Sequence, residues 1–252
     1  MRIGQFFTKV GPALAMAAVA GLSGCNDVNV QFGENEGVPL AELDMAGDPP
    51  TGVALASSDS VTITAGDEFA IDVEGSDTAR DRMRFALEDG TLGIHRSEDS
   101  WSDDDSADVS ITMPAPGSLV LAGSGTIRTD AVSADPEIVI AVSGEVIANG
   151  VAANRLEVTI AGSGTLRASG TAEELELAVA GSGSGDLDRL VVGDAEVTVA
   201  GSGDTAFASD GTVDATIMGS GEIRVSGSAR CTVSSMGSGR LICDEGTMET
   251  NE

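Results

Sequence analysis

Histidine is nearly missing from this chain; His95 is its only copy. Acid–base and nucleophile-activating chemistry near neutral pH relies on histidine more than on any other side chain, so hydrolysis through a serine or cysteine lacks its usual base. Lysine occurs once, as Lys9, and 13 basic residues face 41 acidic ones, for a formal charge of −28. A surface of that sign repels nucleic acid and anionic headgroups. Tyrosine is absent, Trp101 is the single tryptophan, and aromatics make up 3% of the chain, too few for an extended sugar-stacking face. The lone His95 is expected to be structural.

What the chain has instead is a repeat. Ala161-Gly162-Ser163-Gly164 recurs at Ala122, Ala141, Ala180, Ala200, Met218 and Met236, at steps of 19, 20, 19, 20, 18 and 18 residues; only Val142 breaks the Gly-Ser-Gly core. A fixed period of this size marks a solenoid of stacked coils. The flanks alternate apolar and polar residues, as in Leu156-Glu157-Val158-Thr159-Ile160 and Glu222-Ile223-Arg224-Val225, the period of strands. Sustained helical periodicity is missing from the coils. The fold class is therefore all-β: a single β-solenoid with coils of 18–20 residues. The steps fit strict six-residue sides poorly, which favours a right-handed β-helix.

Residues 1–24 read as an export signal, with Arg2 and Lys9 ahead of an apolar run from Val10 to Leu22 that is shorter than a membrane span. Leu22-Ser23-Gly24-Cys25 resembles the bacterial lipobox, which implies lipidation of Cys25 as the new N-terminus. Asn26 after the cysteine implies the outer membrane rather than the inner one. Removing residues 1–24 takes two basic residues and no acidic one, leaving a mature charge of about −30. Residues 25–37 read as the lipidated cysteine and a flexible tether, 38–245 as the β-helix, and 246–252 as a polar tail. Val38 to Leu43 is a candidate first strand, Asp77 to Arg84 a helical turn, and Arg84-Phe85-Ala86-Leu87-Glu88 with Asp89-Gly90 and Thr91-Leu92-Gly93-Ile94 a hairpin or coil corner.

Val61-Thr62-Ile63-Thr64-Ala65-Gly66-Asp67-Glu68-Phe69, then Arg84 to Leu92, then Gly-Ser-Gly coils, together resemble the GIN-domain family, described as putative auto-transporter adhesin head domains. The resemblance spans roughly residues 38–245 and implies a pectin-lyase-like β-helix with an adhesive role and no catalytic residues to carry over. A true auto-transporter would bring its own membrane barrel. The expectation here is that the lipid anchor takes that place.

The remaining candidates are weighed residue by residue. Asp103, Asp104 and Asp105, in the acidic stretch 97–108, are the one candidate Ca²⁺ site, but no glycine sits at EF-hand spacing and a solvated loop explains them as well. No cofactor is expected. Trp101 is either a sugar contact or a lid over the neighbouring coil. Ser124, Ser143, Ser163, Ser182, Ser202, Ser220 and Ser238 should form an outward ladder whose hydroxyls satisfy turn backbone groups, while the glycines supply angles that other residues cannot reach. A nucleophile is singular, and these recur. Arg128, Arg167 and Arg224 share one outward position, interrupted by Asp186 and Ala206. Cys231 and Cys243 fall at inward positions and are read either as a disulfide or as two buried thiols. The function expected is a lipid-anchored, non-catalytic envelope scaffold, adhesin-like or structural, touching the membrane through its anchor and an envelope or extracellular glycan or protein beyond it, with no nucleic acid. The alternative is a carbohydrate-active β-helix lyase or hydrolase. Oligomeric state is left open.

Overall fold

The computed structural model describes residues 37–97 and 106–250. Strands β1 (Gly52–Ala56), β2 (Ser60–Ala65) and β3 (Ala70–Glu74) precede helix α1 (Asp77–Arg82). Then come β4 (Met83–Glu88), β5 (Thr91–Arg96), β6 (Asp108–Met113), β7 (Ser118–Leu121), β8 (Thr126–Thr129) and β9 (Glu137–Ile140). Three long bent strands follow: β10 (Glu145–Gly162), β11 (Thr165–Gly181) and β12 (Ser184–Gly201). The chain closes with β13 (Asp204–Ser209), β14 (Thr212–Gly219), β15 (Glu222–Ser226), β16 (Arg230–Gly237), β17 (Arg240–Cys243) and β18 (Thr247–Thr250). The result is a β-solenoid of about seven turns.

Each coil has three sides, and the burial pattern shows why the sequence bends where it does. Along β10, Val146, Ala148, Val151, Ala153, Leu156, Val158 and Ile160 are buried. The alternation resets twice, at the exposed pairs Asn149-Gly150 and Asn154-Arg155; at the third corner Ala161, Gly162 and Ser163 all stay out of the core and the parity from Ile160 to Gly164 is kept. A strict period of two would carry the inward set to the solvent face after each of the first two corners; two consecutive outward residues restore it. Pairing is parallel and in register from coil to coil, so equivalent side chains stack. The core is a set of apolar columns, such as Leu156–Leu175–Ala195–Val213–Cys231 and Val158–Leu177–Val197–Ala215–Val233. Removing one inward Leu side chain from such a column costs about 2–5 kcal/mol, lost transfer energy plus cavity.

The N-terminal end departs from this regularity. β1 and β2 lie between two coils, pairing with β5 and β6 on one side and with β7 and β8 on the other. The chain thus lays down its second layer first, doubles back, and steps over it at Pro114-Ala115-Pro116-Gly117. β4 forms an antiparallel hairpin with β5, turning at Asp89-Gly90, and β3 lies antiparallel on β6. With α1, capped by the Ser76 side chain accepting from the Ala79 amide, these strands close that end.

Two boundaries differ from the sequence reading. Val38 to Leu43 is no strand: Val38 makes one bridge to Phe85, and Leu40–Glu42 is a 3-10 turn, because Pro39 removes a ladder donor and the segment buries no side chain fully. At the other end, 246–252 is not wholly a tail. Thr247–Thr250 stacks on β16 in register as β18. Its four-residue alternation was too short to stand out.

Candidate functional site: ladders on a flat face

In-register stacking turns one outward position into a ladder, with rungs ~4.8 Å apart. On the side formed by residues 156–160 and their equivalents, Glu137, Glu157, Glu176, Glu196 and Asp214 occupy one such position, followed by Thr232 and Glu249. The neighbouring ladder is Val139, Thr159, Ala178, Thr198, Thr216 and Ser234. Like charges placed directly opposite on neighbouring strands repel. Partial burial pushes the Glu137 carboxyl above the ordinary glutamate range, and the charge of Glu157 adds to the rise. Arg155 relieves the middle of the ladder, pairing with Glu174 at 3.0 Å and with Glu176. Burial works against the Arg155 charge, but Glu176, Glu174 and Glu157 outweigh it and hold its pKa above the usual value. A shallow groove of ≈330 Å³ runs here, lined by Arg155, Glu176, Glu196 and Asp214 among others. A second hollow of ≈280 Å³ lies against Val38, Leu43 and Phe85 at the N-terminal end.

The adjoining side carries the arginines. Arg128, Ile147, Arg167, Asp186, Ala206 and Arg224 share one register position. Arg167 bridges Glu145 and Asp186, and Glu222 receives both Arg224 and Arg240. These pairs are exposed and contribute little singly, about 0–1 kcal/mol. They neutralise rungs rather than build a basic stripe.

All seven ladder serines are exposed. Their role differs from the one read in the sequence. The main-chain amides of Ser163, Ser182, Ser202, Ser220 and Ser238 donate to the carbonyls of Val142, Gly162, Gly181, Gly201 and Gly219 one coil earlier, each at 2.8 Å. Their hydroxyls take no part in this ladder. The two glycines of each phrase also divide the work. The first has positive φ from Gly162 onward, +121° at Gly181 for example, and is crowded by the preceding coil as well, whereas the second lacks positive φ and is only boxed in. A Cβ on Gly203 would lie 2.6 Å from both the Gly183 oxygen and Val179 Cγ1. Val142 is tolerated because the corner before Gly162 has not yet adopted the positive-φ geometry.

A buried ion pair fixes the coil from which the acidic stretch leaves. Asp59 has a fully buried side chain and accepts from Arg96 Nε at 2.9 Å, from the Ala107 amide at 2.8 Å and from Ser57 Oγ at 2.7 Å. Burial alone would raise its pKa; Arg96, the Ala107 amide and Ser57 outweigh it and hold the carboxyl below the ordinary aspartate value. Sequence reading missed Asp59, because nothing marks one aspartate among many as inward. His95 lies on β5, opposite Arg84. Cys25, Trp101, Asp103, Asp104 and Asp105 lie outside the described residues. Cys231 and Cys243 are joined, with Cα atoms 6.5 Å apart.

The family model described as "Putative auto-transporter adhesin, head GIN domain" matches residues 49–229. The chain belongs to this family. The GIN-domain match covers the N-terminal cap and most coils, and stops before Cys231. Among solved structures, the chain is similar to a putative adhesin from Bacteroides fragilis, with a TM-score of 0.68 and 18% identity, covering 81% of this chain and 93% of that one. A putative lipid binding protein from Parabacteroides distasonis follows at 0.57 and 20%, covering 81% and 94%. A putative adhesin from Parabacteroides merdae follows at 0.55 and 15%, covering 81% and 93%. At these identities the likeness speaks to the fold. No curated protein matches the chain.

Proposed function

We propose that this chain is a non-catalytic, adhesin-like binding scaffold, held on the cell envelope by lipid on Cys25. The observation that carries the reading is repetition: every prominent outward feature, the carboxylate ladder and the glycine–serine corner alike, recurs from coil to coil at a fixed spacing. Catalysis needs one activated group with its partners converging on one reacting atom. A rigid ruler of equivalent rungs suits an extended partner with a repeat of its own, an envelope or extracellular glycan or protein. Membership of a family described as adhesin heads agrees with this. Lipid fits the same picture, since a diacylated cysteine supplies the two chains that stable anchoring requires. Asn26, directly after the lipobox cysteine, favours the outer membrane.

The second reading, a carbohydrate-active enzyme, draws on one observation. Glu137, with its raised pKa, stands beside Glu157, an acid next to a base as glycoside hydrolysis uses them. One experiment separates the two. The soluble protein is incubated with a panel of envelope glycans, and both retained ligand and released products are measured. Retention without new reducing ends or unsaturated products supports the scaffold. Turnover that disappears in Glu137→Gln overturns it.

A further inference from the structure

The two ends of the solenoid are finished differently. The N-terminal end has a helix and two antiparallel strands laid across it. At the C-terminal end, among the described residues, the last layer is only β17 and β18, four residues each, paired on one side to β15 and β16. A terminal coil has one neighbour instead of two, and solenoids ordinarily need a dedicated cap there. Two of the apolar columns also run out, while the Ile223 column is continued by the buried Leu241. Ile160, Val179, Val199 and Ile217 end in Ser235, which is exposed, and the column through Val213 ends in Met248, an inward position that is 48% exposed. Core burial therefore holds the last layer weakly.

Here the disulfide lies. Cys231 continues the Leu156–Val213 column on one side of the coil, and Cys243 continues the Leu187–Phe207–Val225 column on another. The bond crosses the coil interior and ties β16 to the end of β17. The chain then turns tightly over it. Glu245 has φ +52°, the Gly246 amide donates to the Asp244 carbonyl at 2.7 Å, and a Cβ on Gly246 would lie 2.6 Å from Cys243 Sγ. Both cysteines fall beyond residue 229, where the match to the family ends.

We propose that the Cys231–Cys243 disulfide caps the described coils at this end: a covalent staple that ties down the last described layer and makes its order depend on redox state. Oxidation of the two thiols, with loss of two electrons and two protons to a disulfide donor, locks β17 and β18 in place. A dithiol reductant reverses the step, becoming a disulfide itself as the two thiols return. Such a bond persists only in an oxidising compartment.

The test is segment-resolved hydrogen exchange on the folded full chain, before and after dithiothreitol, with alkylation and mass spectrometry counting the thiols released. The Cys231→Ser/Cys243→Ser double variant carries the same test if the reductant does not reach the bond; if the variant does not fold, reduction of the folded protein stands alone. Amides of 240–250 should exchange at least about tenfold faster without the bond, while those of 145–201 stay unchanged. Unchanged exchange in 240–250 would overturn the proposal, and so would uniform acceleration along the whole chain, which would make the bond a link in the global core rather than a cap.

Discussion

Replacing Gly181 by alanine tests the corner directly. Its φ of +121° lies where a side chain is strained, at about 1–3 kcal/mol. The new Cβ would also sit 2.5 Å from the Gly162 carbonyl oxygen and 3.2 Å from its carbon. That oxygen cannot move freely, because it accepts the Ser182 amide at 2.8 Å. Forcing the coils apart by several tenths of an ångström adds a second overpacking penalty of about 1–3 kcal/mol. A combined loss near 3 kcal/mol lowers the melting temperature by about 6–12 °C for a chain of this size. Ser182→Ala, one residue on, removes only an exposed hydroxyl and should move the midpoint by less than about 2 °C. Gly203→Ala separates the two causes: it has no positive φ but meets the Gly183 oxygen and Val179, so it should fall between the others. Thermal unfolding followed by circular dichroism reads all three. If Ser182→Ala were the most damaging, or if Gly181→Ala were neutral, the account of the corner would be wrong.

Other expectations follow from the charged groups and the anchor. Asp59→Asn removes the fully buried carboxylate charge that faces Arg96 and accepts from the Ala107 amide, and should destabilise by about 3–5 kcal/mol in a denaturant melt at neutral pH. The Asp59 pKa is lower folded than unfolded, so its stabilisation is present above the unfolded value of 3.8 and is lost as pH falls through the folded one; the variant's deficit should shrink in acid. Glu137 runs the other way: its folded pKa is raised above 4.5, so its stabilisation exists in acid and is lost as pH rises, and Glu137→Gln should raise the melting point at about pH 7 but not at about pH 3. Added salt should stabilise a chain of net charge −28 by screening, seen as a rising midpoint between about 0.01 and 0.5 M. Cys25→Ser should abolish labelling by a palmitate analogue and release the protein from membranes; unchanged labelling would remove the lipid anchor from the account.

The solenoid was legible because its signal is periodic. Ala-Gly-Ser-Gly at steps of 18–20 residues set the coils, and alternation such as Leu156 to Ile160 set their sides. Register then follows, since one slipped residue would turn Val158 outward and Glu157 inward. What escaped reading were features with no period. Nothing local says that β1 and β2 form the layer between β5–β6 and β7–β8, because that arrangement depends on where a later segment returns. The glycine corner was half legible: the need for glycine was plain, but strain at Gly181 and crowding at Gly203 look alike until the neighbouring coil is in place. The carboxylate ladder was hidden by abundance. With 41 acidic residues, Glu157, Glu176 and Glu196 stood out only once their strands were aligned.

The central claim is that binding is spread over equivalent rungs. Its most direct test is adhesion of cells displaying the full chain, with Glu157, Glu176, Glu196 and Asp214 replaced by their amides singly and then cumulatively, each variant matched for melting temperature. A single exposed rung contributes a few tenths of a kcal/mol, so each substitution should weaken adhesion by less than about threefold, with losses accumulating as rungs are removed. Abolition of adhesion by any one substitution, at an unchanged melting curve, would contradict the claim and point to a singular site.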